Sequence, residues 1–299
     1  MTEPRRILLT GGSGQIGKAL QALPWPEDVS LEAPPRHSLD LGEPDSCRRA
    51  ISDAGYAAVV NTAAFTAVDQ AETNVSESFQ TNAAAVATLA EACRNSGIPL
   101  VHVSTDYVFS GQNTVPWTEL DPTVPLGVYG ASKLAGELAV TSTGGRALIL
   151  RTAWVVSPWR HNFVKTMLRL ARDRDSLGIV SDQVGSPTSA KDIARAIQTI
   201  ALRMIQDSAA PTGIYHYVNS GRASWADLAD HVFTVSRQLG GASAAVKRIS
   251  TADYPTPARR PGFSVLSTDK IERVFGIRPD DWRESVQEVV KSIIIAEGK

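Results

Sequence analysis

Ile7-Leu8-Leu9-Thr10-Gly11-Gly12-Ser13-Gly14-Gln15-Ile16-Gly17 is the stretch on which the fold turns. The three apolar residues read as a buried strand, and Gly11, Gly14 and Gly17 read as a tight turn into a helix that starts near Gln15. Glycines let such a turn approach a diphosphate closely, and the N-terminus of the following helix meets the negative charge. A glycine pattern alone is weak. Here it closes a strand and opens a helix, which sets it apart from a simple turn.

Outward from that stretch, strand and helix patterns alternate. The first helix ends at Pro24-Trp25-Pro26, where proline cannot continue it. Val29-Ser30-Leu31-Glu32 reads as a strand, and a helix follows around Asp45 to Ala54. Ala57-Ala58-Val59-Val60 is a short buried strand ending in Asn61-Thr62-Ala63-Ala64. A long alanine-rich helix from about Val75 to Ser96 stops at Gly97 and Pro99. Leu100-Val101-His102-Val103 then delivers Ser104-Thr105-Asp106 to a strand end, and Ala147-Leu148-Ile149-Leu150-Arg151 delivers Trp154. This is the pattern of an α/β, Rossmann-type doubly wound parallel sheet, whose ligands sit at the carboxyl ends of the strands.

After Trp154 the alternation loosens. Helices are predicted over Asn162 to Asp173, Lys191 to Met204, Trp225 to Gln238 (capped by Ser224) and Trp282 to Ile295. Short strands are predicted at Ile179-Val180-Ser181 and Gly213 to Val218. The expected division is a dinucleotide-binding domain over residues 1–154, rejoined by helix 191–204, and a smaller, mainly substrate-binding domain over 155–299.

Tyr129 and Lys133 carry the chemistry. Four residues apart on a helix they share a face, and an ammonium near a phenol lowers its pKa from about 10 and improves it as a general acid. Thr105, a hydroxyl at the carboxyl end of a strand, is a candidate to polarise a carbonyl beside Tyr129.

Composition narrows the partners. The 299 residues have a formal net charge of −1, with no basic footprint for nucleic acid or an anionic membrane. Cys47 and Cys93 lack metal-ligand spacing and suit a reducing compartment. The segment Met1-Thr2-Glu3-Pro4-Arg5-Arg6 leads into an apolar run far shorter than a signal sequence, so a cytoplasmic protein is expected.

Taken together, Thr-Gly-x-x-Gly-x-x-Gly, Asn61-Thr62-Ala63-Ala64, Ser104-Thr105-Asp106 and Tyr129-x-x-x-Lys133 resemble the extended short-chain dehydrogenase/reductases. Within that superfamily the chain is most similar to dTDP-4-dehydrorhamnose reductases. The likeness runs through Phe65-Thr66-Ala67-Val68-Asp69, Pro125 to Gly130, Arg151-Thr152-Ala153-Trp154-Val155 and Asp182-Gln183-Val184-Gly185-Ser186-Pro187-Thr188.

The resemblance implies an NAD(P)H-dependent oxidoreductase that reduces the 4-keto group of dTDP-4-dehydro-L-rhamnose to dTDP-L-rhamnose. Alternatives are another 4-keto nucleotide sugar as substrate, or a non-catalytic regulatory or binding subunit of the same fold. It implies Thr105, Tyr129 and Lys133 as catalytic residues. The coenzyme would lie on Gly11, Ser13, Gly14, Gln15, Ile16, Gly17, Asp40, Leu41, Ala63, Ala64 and Thr66, with Tyr129 and Lys133 at its nicotinamide end. Arg36 ends the second strand region without a clear acid, which favours a 2′-phosphate and hence NADPH, NADH being the alternative. The sugar nucleotide would meet Thr105, Asp106, Trp154, Arg259 and Arg260, the two arginines suiting a diphosphate. Related dehydratases place Asp-Glu after the threonine, and this chain has Asp106-Tyr107. Glutamates that link metal-bound dimers in some relatives align with Ala19 and Lys191, so no magnesium site is expected and the assembly is expected to be a monomer or a weak homodimer.

Overall fold

The computed structural model describes residues 4–52 and 54–297; Met1-Thr2-Glu3, on which part of the N-terminal reading rests, lies outside the described residues. Strand β1 (Arg5–Thr10) sits inside the main sheet and shows why that sheet is covered on both sides. Ile7 and Leu9 enter one apolar cluster and Leu8 enters another on the opposite face, as alternating side chains of a strand must. Helix α1 (Gln15–Ala22), β2 (Val29–Glu32), α2 (Pro44–Ser52) and β3 (Ala58–Asn61) follow.

Next come α3 (Val68–Ala71), α4 (Val75–Phe79), a π turn at Gln80–Ala84 and α5 (Ala85–Asn95). Strand β4 (Leu100–Thr105) runs into a 3-10 turn at Asp106–Val108, before α6 (Val128–Ser142) and β5 (Ala147–Thr152). The remainder comprises β6 (Val155–Val156), α7 (Phe163–Leu170), β7 (Ser176–Val180), β8 (Val184–Gly185), β9 (Thr188–Ser189) and α8 (Ala190–Gln206). It ends with β10 (Gly213–His216), β11 (Ala223–Ser224), α9 (Trp225–Gln238), β12 (Ala245–Ile249), α10 (Asp269–Phe275) and α11 (Trp282–Glu297).

The main sheet is parallel throughout, in the order β2-β1-β3-β4-β5-β10. From β1 the chain steps outward to β2 and returns to β3 on the other side of β1. The order therefore reverses beside β1, and the crevice opens at the carboxyl ends of β1 and β3. Helix α8 returns from the second half of the chain, its Ile193, Ile197 and Ile200 sharing a core with Ile7, Val60 and Leu148. Strand β10 returns with it and pairs with β5. A separate core of Val164, Met167, Leu177, Leu228, Phe233, Val286 and Val290 lies around α7, α9, α11 and the β7–β12 pair.

The helix predicted from Val75 to Ser96 differs from expectation, because the π turn interrupts it. Asn82 lies in that turn, fully buried, and its side chain has partners that a regular helix would not bring into reach. It accepts from the Phe65 N–H at 2.8 Å, donates to the Phe65 carbonyl at 3.1 Å and donates to Ser132 Oγ at 2.9 Å. On α6, a side chain at Gly136 would overlap the Asn82 carbonyl, so glycine permits this approach. Asn82 thus braces the loop after β3 against α6.

Candidate active site

Backbone forms the coenzyme side of the crevice. Gly11 has φ +77°, and a Cβ there would stand 2.5 Å from the Ala63 nitrogen; a Cβ on Gly17 would overlap the Gly11 carbonyl. The turn after β1 and the Asn61–Ala64 segment are thereby pressed together. Asn61 fixes the contact: it accepts from Thr10 Oγ1 at 2.6 Å and from the Ala63 N–H at 3.1 Å, and donates to His102 Nδ1 at 2.9 Å. Helix α1 starts at Gly14 with no side-chain cap and no acid in its first turn, which leaves its positive end open to an anion. A cradle that any Cβ would fill, below an uncapped helix, fits a dinucleotide diphosphate.

Other residues assigned to this end are spread along it. Ser13 and Thr66 are exposed, and Ala63, beside Gly11, and Ala64 are half-buried. Ile16 and Leu41 pack against the two cores that flank the sheet. Gln15 departs from expectation. Its side chain turns into the second half of the molecule, accepting from Ser157 Oγ at 2.7 Å and Asn162 Nδ2 at 3.0 Å. It therefore offers the crevice only its backbone. Arg36 is exposed, with Nε 3.3 Å from Asp40 Oδ2. The Gly42 N–H, more than Arg36, holds the Asp40 carboxyl below its usual range.

Thr105, Tyr129 and Lys133 converge at the end of β4. Thr105 is buried; its hydroxyl accepts from the Tyr107 N–H at 3.2 Å and donates to Asp106 Oδ1 at 3.0 Å. Burial, partly offset by Ser264, Thr105 and nearby backbone groups, raises the Asp106 carboxyl to about 6. Asp106 Oδ2 has no hydrogen-bond partner among the described residues. Tyr129 stands in the first turn of α6, with the Tyr107 ring edge-on at 5.5 Å.

The expected lowering of the phenol by Lys133 is not what the geometry produces. Burial raises Tyr129 to about 12, against a hydrogen bond to Thr105 and with help from the Asp106 charge. Lys133 is itself almost fully buried and donates from Nζ to the Val103 carbonyl at 2.7 Å. Burial brings it down to about 8, with Glu137 acting in the other direction. The ammonium is bound to the strand backbone, so its charge does not offset the desolvation of the phenol.

On the sugar side, most of the assigned side chains already have protein partners. The Trp154 indole stacks on Trp225 with centroids 3.4 Å apart and planes 3° apart. Its backbone has φ +44°, and only a glycine at 185 leaves room for its ring, since a Cβ there would come within 2.5 Å. Arg260 reaches α3 and grips Asp69 with contacts of 3.1 and 2.9 Å. The paired clamp expected of Arg259 and Arg260 is not assembled: Arg259 is exposed to solvent and Arg260 is held by a carboxylate.

Sequence reasoning missed several residues here. Glu72 accepts from the Val128 N–H at 2.9 Å and so caps α6, whose own Gly127 supplies no side-chain cap; a Cβ at 127 would lie 2.5 Å from Glu72 Oε1. Nothing in local spacing signals a cap that comes from 56 residues away. Trp225 was read only as the start of a helix, and Glu137 was not singled out, although it follows Lys133 by one helical turn.

Ala19 is buried and Lys191 is paired with Glu288 at 2.7 Å. Among the described residues no group of three or more His, Cys, Asp or Glu side chains is placed to hold a metal ion. No described helix is long and apolar enough to cross a membrane.

The sequence profile of the family described as RmlD substrate binding domain matches residues 5–295. A dTDP-4-dehydrorhamnose reductase of Sinorhizobium fredii is 48% identical over 295 residues, covering 98% of this chain and 99% of that one. The crystal structure of a dTDP-4-dehydrorhamnose reductase from Clostridium acetobutylicum superposes with a TM-score of 0.90 at 33% identity, over 97% of this chain and 99% of that one. That of a Bacillus anthracis dTDP-4-dehydrorhamnose reductase in complex with NADP gives 0.89 at 31% identity, over the same shares of the two chains.

Proposed function

The chain belongs to the dTDP-4-dehydrorhamnose reductase family, and on that premise we propose that it reduces the 4-keto group of dTDP-4-dehydro-L-rhamnose to give dTDP-L-rhamnose, with NADPH as the reductant. When bound, the coenzyme supplies the hydride. The glycine turn and the open end of α1 would hold its diphosphate, with Ala63, Ala64, Thr66, Asp40 and Leu41 as the residues that would take the rest of the dinucleotide. Arg36 would read the 2′-phosphate, for which it would have to leave Asp40.

Tyr129 gives its proton to the carbonyl oxygen as the oxygen gains negative charge, and Thr105 donates a hydrogen bond to the same oxygen. A phenol raised to about 12 is fully protonated at neutral pH, so the acid is loaded before the reaction starts. Lys133 stabilises the resulting phenolate and holds the nicotinamide ribose, which requires its Nζ to share or leave the Val103 carbonyl. Asp106 and Trp154 contact the sugar, and Arg259 and Arg260 the diphosphate side of the substrate. The buried unpaired thiols of Cys47 and Cys93 suit a reaction in the cytoplasm.

The convergence of Thr105, Tyr129 and Lys133 at the strand end beside the glycine crevice is the observation that carries this reading. Its test is reduction of dTDP-4-dehydro-L-rhamnose by purified protein, followed by loss of NADPH absorbance. Turnover that requires both compounds is the expected result. No turnover with NADPH or NADH would overturn the substrate assignment.

A further inference from the structure

Below the reacting groups lies a buried charged cluster that the mechanism above does not use. Glu137, one turn after Lys133 on α6, and Arg151, on β5, are each 2% exposed. Arg151 grips the carboxylate with two nitrogens, Nε to Oε1 at 2.9 Å and Nη2 to Oε2 at 2.6 Å. Ser104, which precedes Thr105 on β4, donates to Oε1 at 2.5 Å. Behind Arg151, His216 on β10 stands 3.5 Å from Nη1, and the Phe109 ring lies 5.0 Å from the guanidinium carbon. One carboxylate thus joins the helix of Tyr129 and Lys133, the strand of Thr105 and the strand that leads to Trp154.

A buried ion pair of this kind is a poor way to gain stability, because desolvation offsets much of the attraction. Its placement suggests another use. We propose that Glu137 is a positioning residue for the reduction: shared between Ser104 and Arg151, its carboxylate locks α6 to β4 so that Lys133 and Tyr129 stand in fixed register with Thr105. This rests on the proposed reductase activity and deepens it.

Glu137 also sets the electrostatics of the lysine. The titratable and charged groups on the surfaces against this part of α6 are His102 on β4, Arg151 on β5, Asp106 and Tyr107 in the turn after β4, and Tyr129 and Glu137 on α6 itself. Glu72 caps the start of the helix and Asp69 lies on α3. At the far end Arg94 on α5 reaches the Thr143 carbonyl, while Glu91 faces Arg48, and Glu77 on α4 is exposed. His102 is kept neutral by burial and by Lys133. Glu137 is the carboxylate whose charge raises Lys133 against its burial. With that charge gone, the lysine loses its proton at a lower pH.

The test is the pH profile of single-turnover NADPH oxidation for the parent enzyme and Glu137→Gln, with thermal melting alongside. The expected result is an alkaline limb moved down by about one pH unit. Hydride transfer at pH 7.5 should fall roughly three- to tenfold, with most of the loss recovered near pH 6.5. Should Glu137→Gln not fold, the double variant Glu137→Met/Arg151→Leu removes both charges and keeps an apolar filling; it should fold and slow hydride transfer, with a smaller shift of the limb because loss of the Arg151 charge opposes loss of the Glu137 charge. Ser104→Ala, which cuts the strand contact but keeps the charge, should lower the rate without moving the limb. A lower melting temperature with parental rate and profile in the variants that fold would overturn the proposal. An inactive parent enzyme would instead overturn the substrate assignment, so the two failures are distinct.

Discussion

At the coenzyme end of the cleft the surface is backbone: Gly11 against Ala63, Gly17 against Gly11, and the uncapped start of α1. At the sugar end it is side chains that already hold one another, Trp154 on Trp225, Arg260 on Asp69, and Thr105 on Asp106. Most of the first surface is backbone that needs no rearrangement, the exceptions being Arg36 on Asp40 and Lys133 on the Val103 carbonyl. In the second, a ligand must compete with contacts already made, so part of its binding energy goes into displacing them.

The sharpest way to break the comparison is at the junction of the two ends. Tyr129→Phe removes one hydroxyl, and single-turnover hydride transfer should fall roughly 10²–10⁴-fold, or about 3–5 kcal/mol at 1.36 kcal/mol per decade. Coenzyme affinity, measured by fluorescence titration, should barely change. Near-parental transfer would mean another group gives the proton.

Asp106→Asn probes the charge stored at the sugar end. The folded carboxyl titrates near 6, above its ordinary value of 3.8, so the folded state binds more protons between those values. Ionisation of Asp106 therefore costs stability as pH rises through that window. Compared with the parent, the asparagine variant should gain stability from pH 4 to pH 6, by on the order of 2–3 kcal/mol at most. Denaturant melts of both proteins at several pH values would measure it, and parallel curves would show that Asp106 is not strained.

Gly17→Ala tests the coenzyme end, where the added methyl meets the Gly11 carbonyl. Overpacking of about 1–3 kcal/mol should weaken NADPH binding roughly 5- to 150-fold, with little effect on KM for the sugar once coenzyme saturates. Trp225→Leu should do the reverse. Loss of an aromatic pair worth about 0.5–1.5 kcal/mol should raise KM for the sugar roughly two- to tenfold and leave NADPH affinity unchanged. Arg36→Ala should have an effect of similar, small size. Its pairing with Asp40 and its exposure limit the loss of NADPH affinity to about tenfold, or 1.4 kcal/mol, with NADH unaffected. Equal losses for both coenzymes would show that Arg36 is not the phosphate reader.

The same contrast explains what could be read before the structure. Glycine turns, strand ends and the Tyr129-to-Lys133 spacing are local, so a few adjacent residues reveal them. Other contacts around the cleft lie far apart in sequence: Asp69 meets Arg260 across 191 residues and Glu72 reaches Val128 across 56. No periodicity encodes such pairs. The π turn at Asn82 was hidden for a related reason, since its alanine-rich surroundings favour an unbroken helix and only the contacts with Phe65 and Ser132 explain the bulge. Lys133 misled for a third reason: helical spacing placed it near the phenol, but its long side chain runs to the Val103 carbonyl.

The position of β10 has a consequence for how the protein is made. The main sheet gains its sixth strand only when residues 213–216 pair with β5, and α8 must also be present to cover Ile7, Val60 and Leu148. A nascent chain that has reached Trp154 has every group assigned to hydride transfer, yet its β5 edge is open and the sheet face that α8 will cover is shielded only by α1. Such an edge invites pairing with other chains, and contacts closed over so long a loop form slowly. During synthesis the first half must therefore wait for the second, and a fragment cut at residue 154 should be recovered as aggregate rather than as a small coenzyme-binding domain.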